Sequence, residues 1–155
     1  MGIHQIDDIA TYVRFLQENP QELELLYKEL LIGVTSFFRD PKAWEQLKED
    51  AIPELLTERQ NQQTLRAWVL GCATGEEAYT LAIVFKEMVE QVKPVRDLKL
   101  QIFATDLSGE ALKKAREAFY PFNIAADVSP GRLSQFFNQV ENGFQVTKPD
   151  FPVIR

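Results

Sequence analysis

The feature that most constrains the fold is a change in hydrophobic periodicity near residue 60. Up to about residue 56 the apolar residues recur at helical spacing, and a polar run without a period follows at 57–64. Beyond it, apolar strands alternate with helices, which we place at 65–70, 75–91, 98–105 and 108–118. Strands that alternate with helices of this length predict βαβ units and a parallel sheet, with ligands beyond the carboxyl ends of the strands. We therefore predict an α/β protein with a helical module at 1–56, a linker at 57–64 and an α/β domain at 65–155.

Composition narrows the possible functions. The 155 residues carry a net charge of -6, which argues against nucleic acid as the principal partner. The chain has one cysteine, so we expect no cysteine-cluster metal site. Its one histidine, His4, lies at the N-terminus, where we expect fraying, so a Ser-His-Asp triad is poorly supported. We find no signal pattern and no apolar run of roughly 18 residues, and we therefore expect a cytoplasmic protein without direct membrane insertion.

The stretch WVLGCATGEEAYTLA at 68–82 reads as a buried strand, a glycine-bounded turn and the start of a helix. It has neither G-x-G-x-x-G nor the G-K-[ST] ending of a P-loop, so pyrophosphate and a nicotinamide-dependent oxidoreductase are disfavoured. Glu76 and Glu77 in the first helical turn have one simple explanation, because acids stabilise a helix N-terminus by roughly 0.3–1 kcal/mol. The alternative is a ligand with positive charge.

The end of the second strand supports that alternative. Asp106 lies there, about 30 residues beyond Gly75, and a carboxylate can accept two hydrogen bonds from a ribose diol. A glycine turn, neighbouring acids and an acid at the next strand end together suit an adenosine that carries positive charge instead of phosphates. S-adenosylmethionine fits that description.

The same residues carry a family resemblance. The segments LLIGVTSFFRDP (30–41), WVLGCATGEEAY (68–79) and FATD (103–106), followed by ALKKAR (111–116), resemble the CheR-type chemotaxis receptor methyltransferases, in the same order over roughly residues 20–155. The resemblance implies a protein-glutamate O-methyltransferase that moves a methyl group from S-adenosylmethionine to side-chain carboxylates of a chemoreceptor or related sensory protein and releases S-adenosylhomocysteine. It also implies a helical N-terminal module packed on a Rossmann-like methyltransferase fold.

Matching the family's motifs residue by residue gives the candidate site. The resemblance implies cofactor contacts from Thr35 and Arg39 in the TSFFR loop, from Glu77 and from Asp106, and we add Gly71 of the turn. Arg39 is also the candidate catalytic residue, because its fork of donors suits the carboxylate of the cofactor or of the substrate. The simpler alternative is that Arg39 caps or pairs with the following helix, and we read the two phenylalanines before it as packing residues.

Two positions qualify that assignment. Family members commonly have Asn two residues before the threonine, whereas this chain has Gly33, so one side-chain hydrogen bond is in doubt. Cys72 lies near a helix N-terminus, where a thiol can have a lowered pKa. Because no suitable base is visible, we interpret Cys72 as a small side chain packed under the cofactor.

The C-terminal section predicts a short helix at Ser129-Pro130 and a hairpin at about 137–149. The resemblance implies that this hairpin begins a small antiparallel subdomain. The chain ends before the family's later strands, so we interpret residues 65–155 as the first half of the methyltransferase fold. Two functions stay open: a truncated piece of a methyltransferase, and a non-catalytic regulatory or protein-binding module that retains the fold.

Overall fold

A computed structural model of the chain describes residues 8–30, 33, 35–58, 64–93 and 98–147. The chain divides into two compact units, Met1–Ile32 and Gly33–Arg155. Within the described ranges, no helix is both long and apolar enough to cross a lipid bilayer.

The first unit contains two helices, α1 (Ile9–Glu18) and α2 (Pro20–Leu30). Asp8 caps the start of α1, since its side chain accepts a hydrogen bond from the Thr11 backbone N–H at 2.8 Å. Asn19 and Pro20 separate the two helices. The Asn19 side-chain amide donates to the Phe15 carbonyl and so closes the end of α1, while Pro20 begins α2, where its missing N–H is not needed.

A continuous helical segment follows, made of α3 (Pro41–Gln46), a π-helical turn (Leu47–Ala51) and α4 (Ile52–Glu58). The wide turn has a local cause. Pro53 has no backbone N–H for the carbonyl one turn back, and the Ile52 N–H bonds to the Leu47 carbonyl, five residues earlier. Regular α-helical structure thus resumes around Pro53, in α4.

By its packing this segment belongs to the second unit. The buried side chains that it shares with the strands and with the long helix are those of Ile52, Leu56, Leu65, Val84, Phe85, Met88 and Leu98. The compact units therefore divide at residue 32, whereas the sequence predicts a boundary after residue 56. Helical periodicity is the same for 9–30 and for 41–58, and it does not report which core a helix packs on. Residues 59–63 of the predicted linker lie outside the described residues.

The parallel part of the fold consists of β1 (Thr64–Leu70), α5 (Glu76–Val92), β2 (Lys99–Thr105) and α6 (Gly109–Glu117). The two strands pair in parallel, with Leu70 opposite Thr105, so both carboxyl ends lie at the same edge. One face of this sheet is buried in the main core, with Val69, Ile102 and Ala104 packed in one cluster with residues of α5. This order confirms the α/β class.

The other face of the parallel sheet is open. Trp68 and Leu70 alternate with buried Val69 on β1, and each is 67% exposed. Among the described residues, β1 pairs with β2 alone.

The second unit also contains a small antiparallel sheet. Its strands β3 (Phe119–Pro121), β4 (Phe137–Val140) and β5 (Gly143–Val146) have the spatial order β3-β5-β4, and a 3-10 helix (Phe122–Ala126) and α7 (Pro130–Phe136) lie between β3 and β4. The predicted hairpin is present at 137–146, and residues 148–149 lie outside the described residues. Strand β3 is not predicted by the sequence.

Candidate functional site

The glycine turn joins the two parallel strands at their carboxyl ends. Gly71, Ala73 and Gly75 all have positive φ, at 64°, 45° and 98°. The Cys72 N–H donates to the Thr105 carbonyl at 3.0 Å, and the Gly75 N–H donates to the Cys72 carbonyl at 2.8 Å. The turn is therefore a fixed loop tied to the end of β2.

The two glycines have different reasons to be glycine. A Cβ on Gly75 would lie 3.0 Å from the Ala115 Cβ and 3.1 Å from the Tyr120 hydroxyl, so Gly75 is required by close packing as well as by its φ. A Cβ on Gly71 would meet no atom within 4 Å. The side of the turn at Gly71 is open, and the side at Gly75 is filled.

Asp106 holds the turn to the start of α6. Its Oδ2 accepts a hydrogen bond from the Ala73 N–H at 2.8 Å, and its Oδ1 accepts one from the Ser108 N–H at 2.8 Å. Ser108 in turn caps α6 by accepting from the Ala111 N–H. A carboxylate has about four acceptor sites, so Asp106 can hold the backbone and still accept hydrogen bonds from a ligand.

The two glutamates at the start of α5 are in different environments. Glu76 is half-buried and accepts from the Thr74 hydroxyl at 2.7 Å and 2.8 Å. Burial raises the pKa of Glu76, and the Thr74 hydrogen bond opposes that shift. Glu77 is exposed. Glu76 is thus part of the turn's own structure, and Glu77 is the glutamate on the accessible side.

The turn concentrates negative charge. Cys72 is buried, and burial raises the pKa of its thiol to about 11, with nearby carboxylates adding to the effect. Those carboxylates are Asp106, Glu76 and Glu77. The thiol stays protonated at neutral pH, which is the opposite of an activated nucleophile and agrees with a packing role for Cys72.

Two tyrosines support the turn from below. The Tyr120 hydroxyl donates to the Thr74 carbonyl at 2.8 Å, and the Tyr79 hydroxyl donates to the Ala115 carbonyl at 2.8 Å. Their rings meet edge to face at 6.2 Å. Burial raises the pKa of Tyr79 to about 12 and also raises the pKa of Tyr120. Both hydroxyl groups therefore stay protonated at neutral pH and can donate.

The TSFFR loop lies beside this turn. Gly33, just before the loop, would bring a Cβ to 3.3 Å from the Ala73 Cβ, and buried Phe37 packs on the Tyr120 ring at 4.8 Å and on the Phe137 ring at 5.5 Å. The Phe38 N–H donates to the Thr80 hydroxyl on α5 at 3.2 Å. Thr35 is half-buried and Arg39 is exposed.

The predicted site residues therefore differ in how directly they contact the glycine turn. It connects Asp106 directly to the turn that contains Gly71, and it places Glu77 one residue into α5. The loop with Thr35 and Arg39 reaches the turn through Gly33 and Phe37, and the ligand roles of Thr35 and Arg39 stay predictions. Phe37 is a packing residue, as the sequence predicts.

Sequence reasoning missed the supporting groups Thr74, Thr80 and Tyr120. Two of them contact the site through a partner that only the fold brings near: Thr80 binds Phe38, 42 residues away, and Tyr120 binds Thr74, 46 residues away. Thr74 was the one with a local signal, because a threonine two residues before a glutamate can hydrogen-bond it across a turn.

Comparison with known proteins identifies the fold. A family model described as CheR methyltransferase, SAM binding domain, matches residues 33–150. The chain belongs to this family. The matched range begins where the second compact unit begins, so the CheR domain and that unit share their N-terminal limit.

Three relatives illustrate the similarity of this CheR domain to known proteins. An uncharacterised 104.1 kDa protein of Rhodobacter capsulatus is 42% identical over 137 residues, which cover 88% of this chain and 14% of the relative. The chemotaxis protein methyltransferase of Borreliella burgdorferi is 31% identical over 90% of this chain and 50% of its own length. The chemotaxis protein methyltransferase 1 of Pseudomonas aeruginosa is 32% identical over 81% of this chain and 46% of its own length. The chain spans about half the length of these chemotaxis relatives.

The residues of this CheR domain fit S-adenosylmethionine, the cofactor of the family. The open side of the turn at Gly71 leaves room for a ligand, and Asp106 keeps acceptor sites for a ribose diol. The three carboxylates around Cys72 favour a ligand with a positively charged sulfonium over one with phosphates. No group of three metal-ligating side chains is found among the described residues.

Proposed function

We propose that this chain is the cofactor-binding part of an S-adenosylmethionine-dependent methyltransferase that methylates glutamate side-chain carboxylates of a chemoreceptor or a related sensory protein. The observation that carries the proposal is the cluster of Asp106, Glu76 and Glu77 around an open glycine turn at the carboxyl ends of two parallel strands. Membership of the CheR family supports the reaction class, and the names of the chemotaxis relatives support the substrate. We place the activity in the cytoplasm.

The proposed roles of the residues follow from their positions. When bound, S-adenosylmethionine supplies a methyl group on a positively charged sulfur and leaves as S-adenosylhomocysteine. Asp106 accepts hydrogen bonds from the ribose hydroxyls, Glu77 lies on the accessible side of the turn, and Gly71 gives the ligand room. Thr35 contributes a further polar contact from the TSFFR loop.

Little acid–base chemistry is needed from the protein. A glutamate carboxylate is already ionised at neutral pH, so its oxygen can attack the methyl carbon without a general base. Positioning and exclusion of water then provide most of the rate enhancement. We propose that Arg39 holds the acceptor carboxylate in line with the methyl group, because a guanidinium presents a planar fork that matches a carboxylate.

The decisive experiment uses the full-length gene product with S-adenosylmethionine labelled in its methyl group and membranes that contain its cognate receptor. We expect alkali-labile label on the receptor, as a carboxyl methyl ester requires, and loss of that label when the acceptor glutamates are changed to alanine. Arg39→Ala should lower the rate much more than it weakens S-adenosylhomocysteine binding. Absence of alkali-labile label with every candidate receptor would remove the proposal.

A second candidate function is a non-catalytic regulatory or protein-binding module. The observation that favours it is the exposed apolar face of the parallel sheet at Trp68 and Leu70, because an exposed apolar surface can bind another protein. Calorimetry with S-adenosylhomocysteine separates the two functions, since a module that retained only the fold should bind no cofactor.

A further inference from the structure

Outside the predicted site, Arg132 on α7 reaches the TSFFR loop. Its guanidinium carbon lies 4.0 Å from the centre of the Phe38 ring, which is the geometry of a cation–π contact. Phe38 directly precedes Arg39. Arg132 therefore contacts the side chain of the residue next to Arg39, and the conformation of that residue affects the position of Arg39.

Arg132 is itself held in place by Glu87 on α5. The guanidinium donates from Nε to Oε1 at 2.6 Å and from a terminal nitrogen to Oε2 at 2.9 Å, a two-pronged arrangement that fixes its orientation. Lys48 binds the same carboxylate at 2.6 Å. All three side chains are about three-quarters buried, so this is a partly desolvated network and not a surface ion pair.

The backbone on both sides of Arg39 is strained. Phe38 has φ 53° and Asp40 has φ 54°, so Arg39 lies between two non-glycine residues in the left-handed region. Such conformations persist only where the surroundings enforce them. At Phe38 two contacts do so: the N–H bond to Thr80 on one side and the Arg132 guanidinium over the ring on the other.

We propose that Arg132, oriented by Glu87, is a positioning residue that holds the left-handed backbone at Phe38 and thereby sets Thr35 toward the cofactor and Arg39 toward the acceptor carboxylate. The inference rests on the proposed function for its readout in cofactor binding. Its structural half, that Arg132 fixes the loop, is independent of that function.

Arg132→Gln is the first test variant, and it should remain folded because Lys48 still neutralises Glu87. In the full-length protein we expect it to weaken S-adenosylhomocysteine binding by about three- to thirtyfold, as the loop spends less time in the binding conformation. Arg132→Lys, which keeps a cation near the ring and one hydrogen bond to Glu87, should recover part of the loss. Gln135→Ala is the matched control, since Gln135 lies on the exposed side of the same helix and contacts only Glu90 among the interactions described.

A second variant separates loop positioning from general stability. Phe38→Gly removes both the ring and the strain, because glycine adopts positive φ readily. In that background Arg132→Gln should change cofactor affinity by less than about twofold. An equal loss in both backgrounds, or no loss in the first, would overturn the inference.

Trp44 provides a readout that needs no cofactor. Its indole N–H donates to the Arg39 carbonyl at 2.7 Å, so its hydrogen exchange, followed by NMR, reports whether the loop keeps its position. We expect faster exchange in Arg132→Gln than in Gln135→Ala. Unchanged exchange would overturn the positioning role, whereas a wild-type protein that binds no S-adenosylhomocysteine would count against the proposed function and leave this readout to decide the inference.

Discussion

A single substitution of Asp106 would remove one structural role and one proposed role together. Its two oxygens accept from the backbone N–H groups of Ala73 and Ser108, and we propose that it also accepts from the cofactor ribose. Asp106→Ala should therefore destabilise the fold by roughly 1.5–3 kcal/mol and weaken S-adenosylhomocysteine binding about ten- to more than a hundredfold. Denaturant unfolding and calorimetry measure the two losses.

The control for Asp106 is Ser108→Ala. It removes the cap of α6, which is worth about 1 kcal/mol, but no predicted cofactor contact. If Asp106→Ala resembles Ser108→Ala, with lower stability and nearly unchanged affinity, then the carboxylate only holds the turn and the cofactor binds elsewhere.

Gly71 and Gly75 form a matched pair for locating the ligand. Gly75→Ala combines positive φ with a Cβ 3.0 Å from Ala115, and we expect a loss of about 2–4 kcal/mol in the free energy of unfolding. Gly71→Ala meets open space, so only the backbone strain of about 1–2 kcal/mol remains.

Cofactor affinity should show the opposite order, with Gly71→Ala losing more affinity than its small loss of stability explains. In Gly71→Ala the new methyl group occupies the open side of the turn, and we expect weaker S-adenosylhomocysteine binding than the small loss of stability explains. Wild-type affinity in this variant would show that the cofactor does not approach the turn at Gly71.

At the scale of elements, Glu87 joins three helical segments: α5, α7 and the π-helical turn that contains Lys48. Burial alone would raise the pKa of Glu87, but the hydrogen bonds and charges of Arg132 and Lys48 outweigh it and lower the pKa below its ordinary value near 4.5. The unfolded chain therefore takes up this proton first as pH falls. Glu87 stabilises the fold above its unfolded-state pKa, and that contribution is lost as pH falls through the folded-state pKa.

Replacing Glu87 by Gln should consequently lower the free energy of unfolding by roughly 1–2 kcal/mol at about pH 7. The difference from wild type should shrink below about pH 4.5. Urea unfolding at several pH values measures it, with Glu90→Gln as control because the Glu90 carboxylate contacts the uncharged Gln135 amide. A difference that stayed constant down to pH 3 would contradict the assigned pKa direction.

The elements also show what sequence can and cannot predict. Strands β1 and β2 were predictable because they are apolar, bounded and followed by turn residues. Strand β3 is three residues long and ends at Pro121, so it is too short to show a strand pattern in the sequence. It is defined by its pairing with β5, more than 20 residues later. The positions of Asp106 and Gly71 were predictable because both residues follow the ends of apolar strands, and their ligand roles stay predictions. The contacts of Arg132 and Thr80 are tertiary and have no local sequence pattern.

At the scale of the whole molecule, negative charge is concentrated at one turn and the two faces of the parallel sheet differ in exposure. The net charge of -6 includes three carboxylates gathered at one turn, and the parallel sheet is covered on one face and open on the other. The sequence predicted the class of this fold. The compact units could not be predicted from periodicity, because the packing of residues 41–58 on the strands depends on tertiary contacts.

The buried thiol of Cys72 makes the turn's opening directly measurable as a chemical rate. With a pKa near 11, Cys72 at mildly alkaline pH has on the order of a hundredfold less thiolate than a free cysteine, and burial slows its alkylation further. The rate at which Cys72 is alkylated, followed by peptide mass spectrometry, therefore reports how often the turn opens and exposes the thiol. We expect Asp106→Ala to raise the alkylation rate of Cys72 and bound S-adenosylhomocysteine to lower it. The reactivity of this one thiol thus measures how tightly the turn is held at the cofactor site.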